Sequence, residues 1–230
     1  MYKGKSVLLM IPAYNEEGKI GSTLDKIPRD LVDEILVVDD GSRDKTVDEI
    51  KQRKATLISM EKNSGLGVVF KRAFKYALES KHDIGLIMGG DDQDDPTKIN
   101  LFLQALVDEG YDMAQGSRYL GGTERIPLFR KVTTTLYSIA FSLAAHKSVS
   151  DASTGFKGFR ISLLSEIDLS ASWLDAKYGI EQYFLIQALK KGYGVKEIPV
   201  KKFFPKQGYS KMRAIVDWWF MLQPIARSLW

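Results

Sequence analysis

The chain contains no cysteine, only two histidines and only seven prolines in 230 residues. Without cysteine there is no disulfide framework, no thiolate nucleophile and no thiolate metal site, which suits a reducing compartment. His82 and His146 are isolated in the sequence and read as structural. No stretch reaches the roughly 18 uninterrupted apolar residues of a membrane span. The N-terminus, Met1-Tyr2-Lys3-Gly4-Lys5, runs straight into a strand-like segment and does not read as a signal peptide. Internal repeats, low-complexity tracts and linkers are missing too. So are two nucleotide-binding signatures. There is no G-x-x-x-x-G-K-[ST], which excludes a P-loop enzyme. Asn63-Ser64-Gly65-Leu66-Gly67 has Phe70 where G-x-G-x-x-G needs its third glycine, and it does not follow the first strand, which argues against a Rossmann dehydrogenase.

What is present is an ordinary globular composition, 44% hydrophobic and 27% charged, enough for a sizeable core in one large domain or a domain with an appendage. The net charge of +4 hides an asymmetry: residues 1–115 carry 16 Lys+Arg against 21 Asp+Glu, and residues 116–230 carry 17 against 8. A basic second half suits an anionic partner, whether nucleic acid, a phosphate-bearing substrate or an anionic membrane surface.

Short apolar runs at Ser6–Ile11, Glu34–Val38, Thr56–Met60, Ile84–Met88 and Asp112–Gln115 read as strands. Helical spacing falls between them, at 18–27, from about 44 to 53, from 66 to 80 and over 97–109. This alternation predicts βαβ units and a mostly parallel sheet covered on both faces. After Gly116 the alternation fails. Val132–Ala145 is a long, mostly apolar helical segment, Lys157–Arg160 a short strand, Ile180–Lys191 an amphipathic helix, Val195–Phe203 a strand and Lys206–Lys211 a polar loop. The end, Met212–Trp230, is rich in tryptophan and reads as amphipathic.

In parallel sheets ligands bind beyond the carboxyl ends of the strands. Three polar clusters lie there: Pro12–Glu17, Asp39–Ser42 and Gly89–Asp95. Carboxylates such as Asp39 and Asp40 can take ribose hydroxyls or a base N–H, or can simply help cap a turn. Glycines at 65 and 67 permit close approach of a ligand or form an ordinary turn. Asp91 and Gln93, two apart at a strand end, are hard oxygen ligands suited to Mg²⁺ or Mn²⁺ holding a diphosphate; the alternative is an acidic cap on the next helix. Arg118 and Arg130 could bind phosphate or be solvated surface charges, and Asp151 could orient an acceptor or cap a turn.

Seven segments, in order, carry a resemblance. They are Ile11-Pro12-Ala13-Tyr14-Asn15-Glu16, Val38-Asp39-Asp40-Gly41-Ser42, Asn63-Ser64-Gly65-Leu66-Gly67, Asp91-Asp92-Gln93-Asp94-Asp95-Pro96, Gly116-Ser117-Arg118-Tyr119, Thr154-Gly155-Phe156 and Gly208-Tyr209-Ser210-Lys211. Together they resemble the inverting glycosyltransferase family 2, in particular its polyprenyl-phosphate sugar transferases of the dolichol-phosphate mannose synthase type. The resemblance implies an α/β GT-A fold over 1–211, with a nucleotide-binding half (1–115) and an acceptor half (116–211); the tryptophans and basic residues of 212–230 suit an amphipathic, membrane-interfacial helix, the alternative being core or dimer contacts. It implies an enzyme that moves a hexose from a UDP- or GDP-linked sugar to a polyprenyl or dolichyl phosphate with Mg²⁺ or Mn²⁺. Pro12, Tyr14, Glu16, Asp39, Asp40, Gly67, Asp91, Gln93 and Lys211 would hold the donor. Asp91 and Gln93 would hold the metal, and Arg118, Arg130 and Ser210 the acceptor phosphate. Asp91, Asp151 and Arg118 would be catalytic.

The implied partners are the donor, the lipid acceptor and the cytoplasmic face of a membrane, with no nucleic acid. A membrane-spanning partner or an oligomer is compatible with this. Two departures stand out: Gly89 occupies the place of a frequent first aspartate, and Pro205 that of a usual arginine. Transfer to a glycan or protein hydroxyl, or a non-catalytic nucleotide-sugar-binding subunit, remain alternative readings of the same residues.

Overall fold

A computed structural model describes residues 1–122, 126, 128–203 and 216–228. Its strands are β1 (Val7–Ala13), β2 (Glu34–Asp39), β3 (Thr56–Ser59), β4 (Ile84–Ile87), β5 (Met113–Ser117), β6 (Lys157–Arg160) and β7 (Val195–Pro199). They form one seven-stranded sheet in the order β3-β2-β1-β4-β6-β5-β7. β1 pairs in parallel with β2 and β4, β2 with β3, and β5 with β7. β6 lies antiparallel between β4 and β5 and runs against all the others.

The helices are α1 (Ile20–Asp25), α2 (Thr46–Lys51), α3 (Leu66–Glu79), α4 (Ile99–Leu103), α5 (Leu128–Ala145), α6 (Leu163–Glu166), α7 (Ile180–Lys190) and α8 (Val216–Ser228). Alternate residues of each strand point to opposite faces. Leu8, Met10, Leu36 and Val38 accordingly join a core with α3, α5 and α7, while Val7, Leu9, Ile11, Ile35 and Val37 join a second core with α1 and α4. Covering both faces is why these strands read as unbroken apolar runs.

Two elements differ from the sequence reading. The helix expected over 97–109 begins as a 3₁₀ turn, Pro96–Lys98, passes through α4 and closes in a wide π-type turn over Gln104–Asp108. Beyond Pro199 the expected strand continues for one further bond, Val200 N–H to the Ser117 carbonyl at 3.0 Å. It then leaves the sheet, and residues 94 and 202 form an isolated antiparallel bridge. The acid loop after β4 is therefore fastened to the chain that follows β7.

This topology decides where the chemistry gathers. Because all strands but β6 point one way, the loops after β1, β2, β4, β5 and β7 meet at one edge. The reversed β6 starts at that same edge, Lys157 lying level with Ile87 and Gln115, so the loop before it arrives there too.

Candidate active site

The loops after β1 and β2 are laced together by backbone-to-side-chain bonds. Asn15 N–H donates to Ser42 Oγ at 2.9 Å, Glu16 N–H to Thr46 Oγ1 at 2.7 Å, and Gly18 N–H to Glu49 Oε1 at 2.7 Å. Asp39 is fully buried, and its carboxylate accepts from Ser42 and from Ser59 Oγ. Its oxygens thus serve the turn. Asp40 is also buried and accepts Asn63 Nδ2–H at 2.9 Å, Ser64 N–H at 2.7 Å and Gly65 N–H at 3.0 Å. Two motifs 23 residues apart are in fact one structure. Burial, and the neighbouring Asp39, keep Asp40's carboxyl above the usual range despite those amide bonds.

Pro12 and Tyr14 lie part-buried at this end, and the buried Glu16 accepts Lys19 Nζ at 3.1 Å. Gly67 lies in the first turn of α3. Its N–H donates to the Ala176 carbonyl, and a Cβ there would come within 1.9 Å of the Leu174 carbonyl oxygen. What the structure shows at Gly67 is close backbone packing.

The four acids after β4 have separate duties. Asp92 turns toward α1, where it accepts Ser22 Oγ at 2.9 Å and Lys26 Nζ at 2.8 Å. Asp95 caps the following turn through Thr97 N–H at 3.1 Å. Asp94 is buried, takes the Gly89 N–H at 3.1 Å, and pairs at 3.6 Å with Lys202. Among the described residues, the Asp91 carboxylate accepts one long bond, from Gln93 N–H at 3.3 Å. Burial first, then the charges of Asp94 and Glu16, raise Asp91's carboxyl above its ordinary value; Lys202 pulls the other way. A half-buried carboxylate among other acids with one weak donor is the chemistry of a hard-cation ligand. Among the described residues no group of three or more Asp, Glu or His side chains is arranged around a metal position. The half-buried Asp91 carboxylate and the neighbouring Gln93 side-chain carbonyl are oxygen donors of the kind a hard divalent ion takes.

On the other side of β4, Arg118 and Asp151 form a buried two-pronged pair, Nε to Oδ2 at 2.7 Å and Nη2 to Oδ1 at 2.8 Å. Ser153 Oγ accepts from the same Nη2 at 2.6 Å, and Thr154 Oγ1 donates to Asp151 at 2.7 Å. Burial alone would raise Asp151's carboxyl; Arg118's bonds and charge hold it below the usual range. A carboxylate so engaged orients a guanidinium more readily than it takes a proton. Arg130, in the first turn of α5, is half-buried. Burial and the charge of Arg118 both lower its proton affinity, which places two guanidinium groups within electrostatic reach of each other. Two such groups held together suit a phosphate. Ser210 and Lys211 lie outside the described residues.

Four further residues enter that the sequence reading did not single out. Lys157 is fully buried and bonds the Thr154 carbonyl; Glu181, at the start of α7, lies 3.8 Å from it with Oε1 receiving no hydrogen bond. Burial lowers Lys157's proton affinity and raises that of Glu181. Asp94 and Lys202 complete the set. A lysine inside the run Phe156-Lys157-Gly158-Phe159 was the one available signal; the others depend on the reversed β6 and on the path after β7. Electrostatic reach links the groups: Lys202 senses Asp94, Asp91 and Arg118.

Known proteins resemble this chain in sequence and in fold. Residues 9–168 match the model of glycosyl transferase family 2. The UDP-N-acetylglucosamine–dolichyl-phosphate N-acetylglucosaminyltransferase of Methanococcus voltae is 29% identical over 228 residues, covering 91% of this chain and 89% of its own. The polyprenol monophosphomannose synthase of Mycolicibacterium smegmatis is 30% identical, covering 89% and 80%. Glucosyl-3-phosphoglycerate synthase from Mycobacterium tuberculosis superposes with a TM-score of 0.74 at 19% identity, over 97% of this chain and 82% of that one. That enzyme has also been crystallised with Mn²⁺, UDP and glucosyl-3-phosphoglycerate. The expected GT-A fold is thus found, and the chain belongs to glycosyl transferase family 2 and is a glycosyltransferase.

Proposed function

We propose that this enzyme transfers a hexose from a nucleotide-diphospho-sugar to a polyprenyl phosphate, with inversion at the anomeric carbon. The carrying observation is the meeting, at one sheet edge, of an acid cluster around Asp91 with the guanidinium groups of Arg118 and Arg130. An acid cluster suits a cation and the diphosphate it carries, and an arginine pair suits a second phosphate. Relatives named for dolichyl-phosphate and polyprenol substrates support the lipid acceptor. A fold neighbour crystallised with UDP and Mn²⁺ supports the donor and the ion.

In this reading residues 1–115 hold the donor: Pro12, Tyr14, Glu16, Asp39 and Asp40 flank the base and ribose, and the Asn63–Gly67 loop braces Asp40 from behind. Asp91 and Gln93 would hold Mg²⁺ or Mn²⁺, which when bound supplies Lewis-acid neutralisation of the leaving diphosphate. Arg118, fixed by Asp151, joins Arg130 and Ser210 in holding the acceptor phosphate. One acceptor oxygen forms the new bond at the anomeric carbon from the face opposite the diphosphate; the old C–O bond breaks and its electrons leave with the nucleoside diphosphate. A phosphate monoester is already anionic at neutral pH, so no strong base is needed, consistent with an Asp151 committed to Arg118.

The acceptor places the enzyme at a membrane, on its cytoplasmic face. No helix among the described residues is long and apolar enough to cross one. α5 instead exposes Leu128, Val132, Leu136, Ile139 and Leu143 at intervals of three and four, while Tyr137, Phe141 and Ala144 on its other side are buried. Lys131 and Lys147 flank that stripe, and Trp219 and Leu222 of α8 are exposed as well. An apolar stripe with flanking cations and a nearby tryptophan suits the headgroup level of an anionic bilayer. The test is a panel of UDP- and GDP-sugars offered with a polyprenyl phosphate and Mg²⁺ or Mn²⁺, reading nucleoside diphosphate release and the mass of the lipid product. One donor is expected to give glycosyl polyprenyl phosphate. Release only with soluble glycan or protein acceptors would overturn the lipid assignment.

A further inference from the structure

Lys202 has a place in the fold that its position after β7 does not foretell. The chain there lies against the acid loop: residues 94 and 202 bridge, and Phe203 N–H donates to the Gln93 carbonyl at 2.8 Å. This clamp brings the Lys202 ammonium to 3.6 Å from Asp94 Oδ1, a buried oxygen that receives no hydrogen bond. Asp94 Oδ2 meanwhile accepts the Gly89 N–H. A Cβ on Gly89 would lie 3.0 Å from Asp91 Oδ1 and 3.3 Å from Asp94 Oδ2, so these two carboxylates already fill the space around residue 89. Position 89 thus contributes no carboxylate, and Lys202 brings in a positive charge beside Asp91 and Asp94. Of the ion pair, Asp94's side chain is 2% exposed and that of Lys202 19%, so Lys202 is the less enclosed member.

We propose that Lys202 is a resident cation of the donor site: positioned by Asp94 beside Asp91, its ammonium contacts the donor's diphosphate and shares the neutralising role with a divalent ion. The proposal rests on the donor site described above. Asp91, Asp94 and Glu16 would otherwise present a diphosphate with like charge at short range, where partial burial weakens screening. A lysine is a compact point charge well suited to phosphate oxygens. Nucleoside diphosphate binding should therefore survive removal of metal, and removal of the lysine should make it metal-dependent.

The experiment is calorimetric titration of the full chain with UDP and with GDP, each in EDTA and in MnCl₂, for wild type, Lys202→Met and Lys202→Arg. For whichever nucleotide binds, the wild-type affinity is expected to fall by no more than tenfold on chelation. Lys202→Met should be at least tenfold weaker than wild type in EDTA yet within threefold of it in MnCl₂, and Lys202→Arg should restore binding in EDTA. A wild-type loss above tenfold on chelation, or a Lys202→Met deficit that is absent or equal in both buffers, would overturn the proposal; an equal deficit would reduce Lys202 to a structural clamp. Absence of binding by either nucleotide in both buffers would instead overturn the donor reading itself.

Discussion

Four aspartates within five residues look interchangeable in the sequence, and the fold gives each a separate task. Asp92 is held by Lys26 and Ser22, Asp95 by Thr97, Asp94 by Gly89 and Lys202. Asp91 is left as the ligand candidate. Asp91→Asn is expected to cut transfer at least a hundredfold while moving the melting temperature by no more than about 2 °C, since only a 3.3 Å bond is at stake. Asp92→Asn should leave turnover near wild type, because its contacts face α1. Steady-state kinetics beside thermal melts of the two variants would separate a ligand from a turn residue.

The Arg118–Asp151 pair makes the opposite prediction. Breaking a buried, two-pronged pair leaves an uncompensated charge, so Asp151→Asn should cost about 3–5 kcal/mol of stability. Asp151's carboxyl is held below its unfolded value near 3.9 by Arg118, although burial opposes this. The folded state therefore favours the ionised form. The pair's contribution is fully present above the unfolded value and is lost as pH falls through the lower folded value. Denaturant melts from pH 7 to pH 3 should show wild type losing this increment only at the acid end, and Asp151→Asn lacking it throughout.

At the scale of elements, what the sequence disclosed and what it hid have physical reasons. β1, β2 and β4 were legible because burial on both faces demands unbroken apolar runs, as in Val7-Leu8-Leu9-Met10-Ile11. Asp39, Asp40 and Asp91 were legible as candidates because strand ends in parallel sheets carry polar loops. The reversal of β6 was not, since four residues, Lys157-Gly158-Phe159-Arg160, pair equally well in either direction until their neighbours are known. With it went Lys157 and its partner Glu181, which meet only through that reversal. The end of β7 was overextended because Val200–Phe203 is apolar and basic like an edge strand, yet it serves the acid loop.

α5 carries its own prediction. Leu136 and Leu143 are 61% and 72% exposed, so replacing both with glutamate should change stability by no more than about 1 kcal/mol. The same change should lower co-sedimentation with anionic vesicles several-fold, by removing apolar area and adding like charge. Unchanged vesicle binding would remove α5 from the membrane surface.

Across the whole molecule, the residues proposed for donor and acceptor come from different halves of the chain but share one seven-stranded sheet. Among the described residues β4 and β5 are joined through β6, and Leu8, Met10 and Leu36 pack in the same cluster as Tyr137, Phe141 and Phe184. Residues 1–115 expressed alone should therefore lose cooperative thermal unfolding, which circular dichroism melts would register. A sheet shared in this way fixes the loop that carries Arg118 relative to the acid loop after β4, an arrangement that suits the two phosphates of the proposed reaction. In the proposed reaction the second of these phosphates belongs to the acceptor. The most direct measurement compares nucleoside diphosphate release, with the preferred donor, when the acceptor is a polyprenyl phosphate and when it is the same polyprenol without phosphate. Release with the phosphate and at least a hundredfold less with the alcohol is expected; equal release from the two would contradict it.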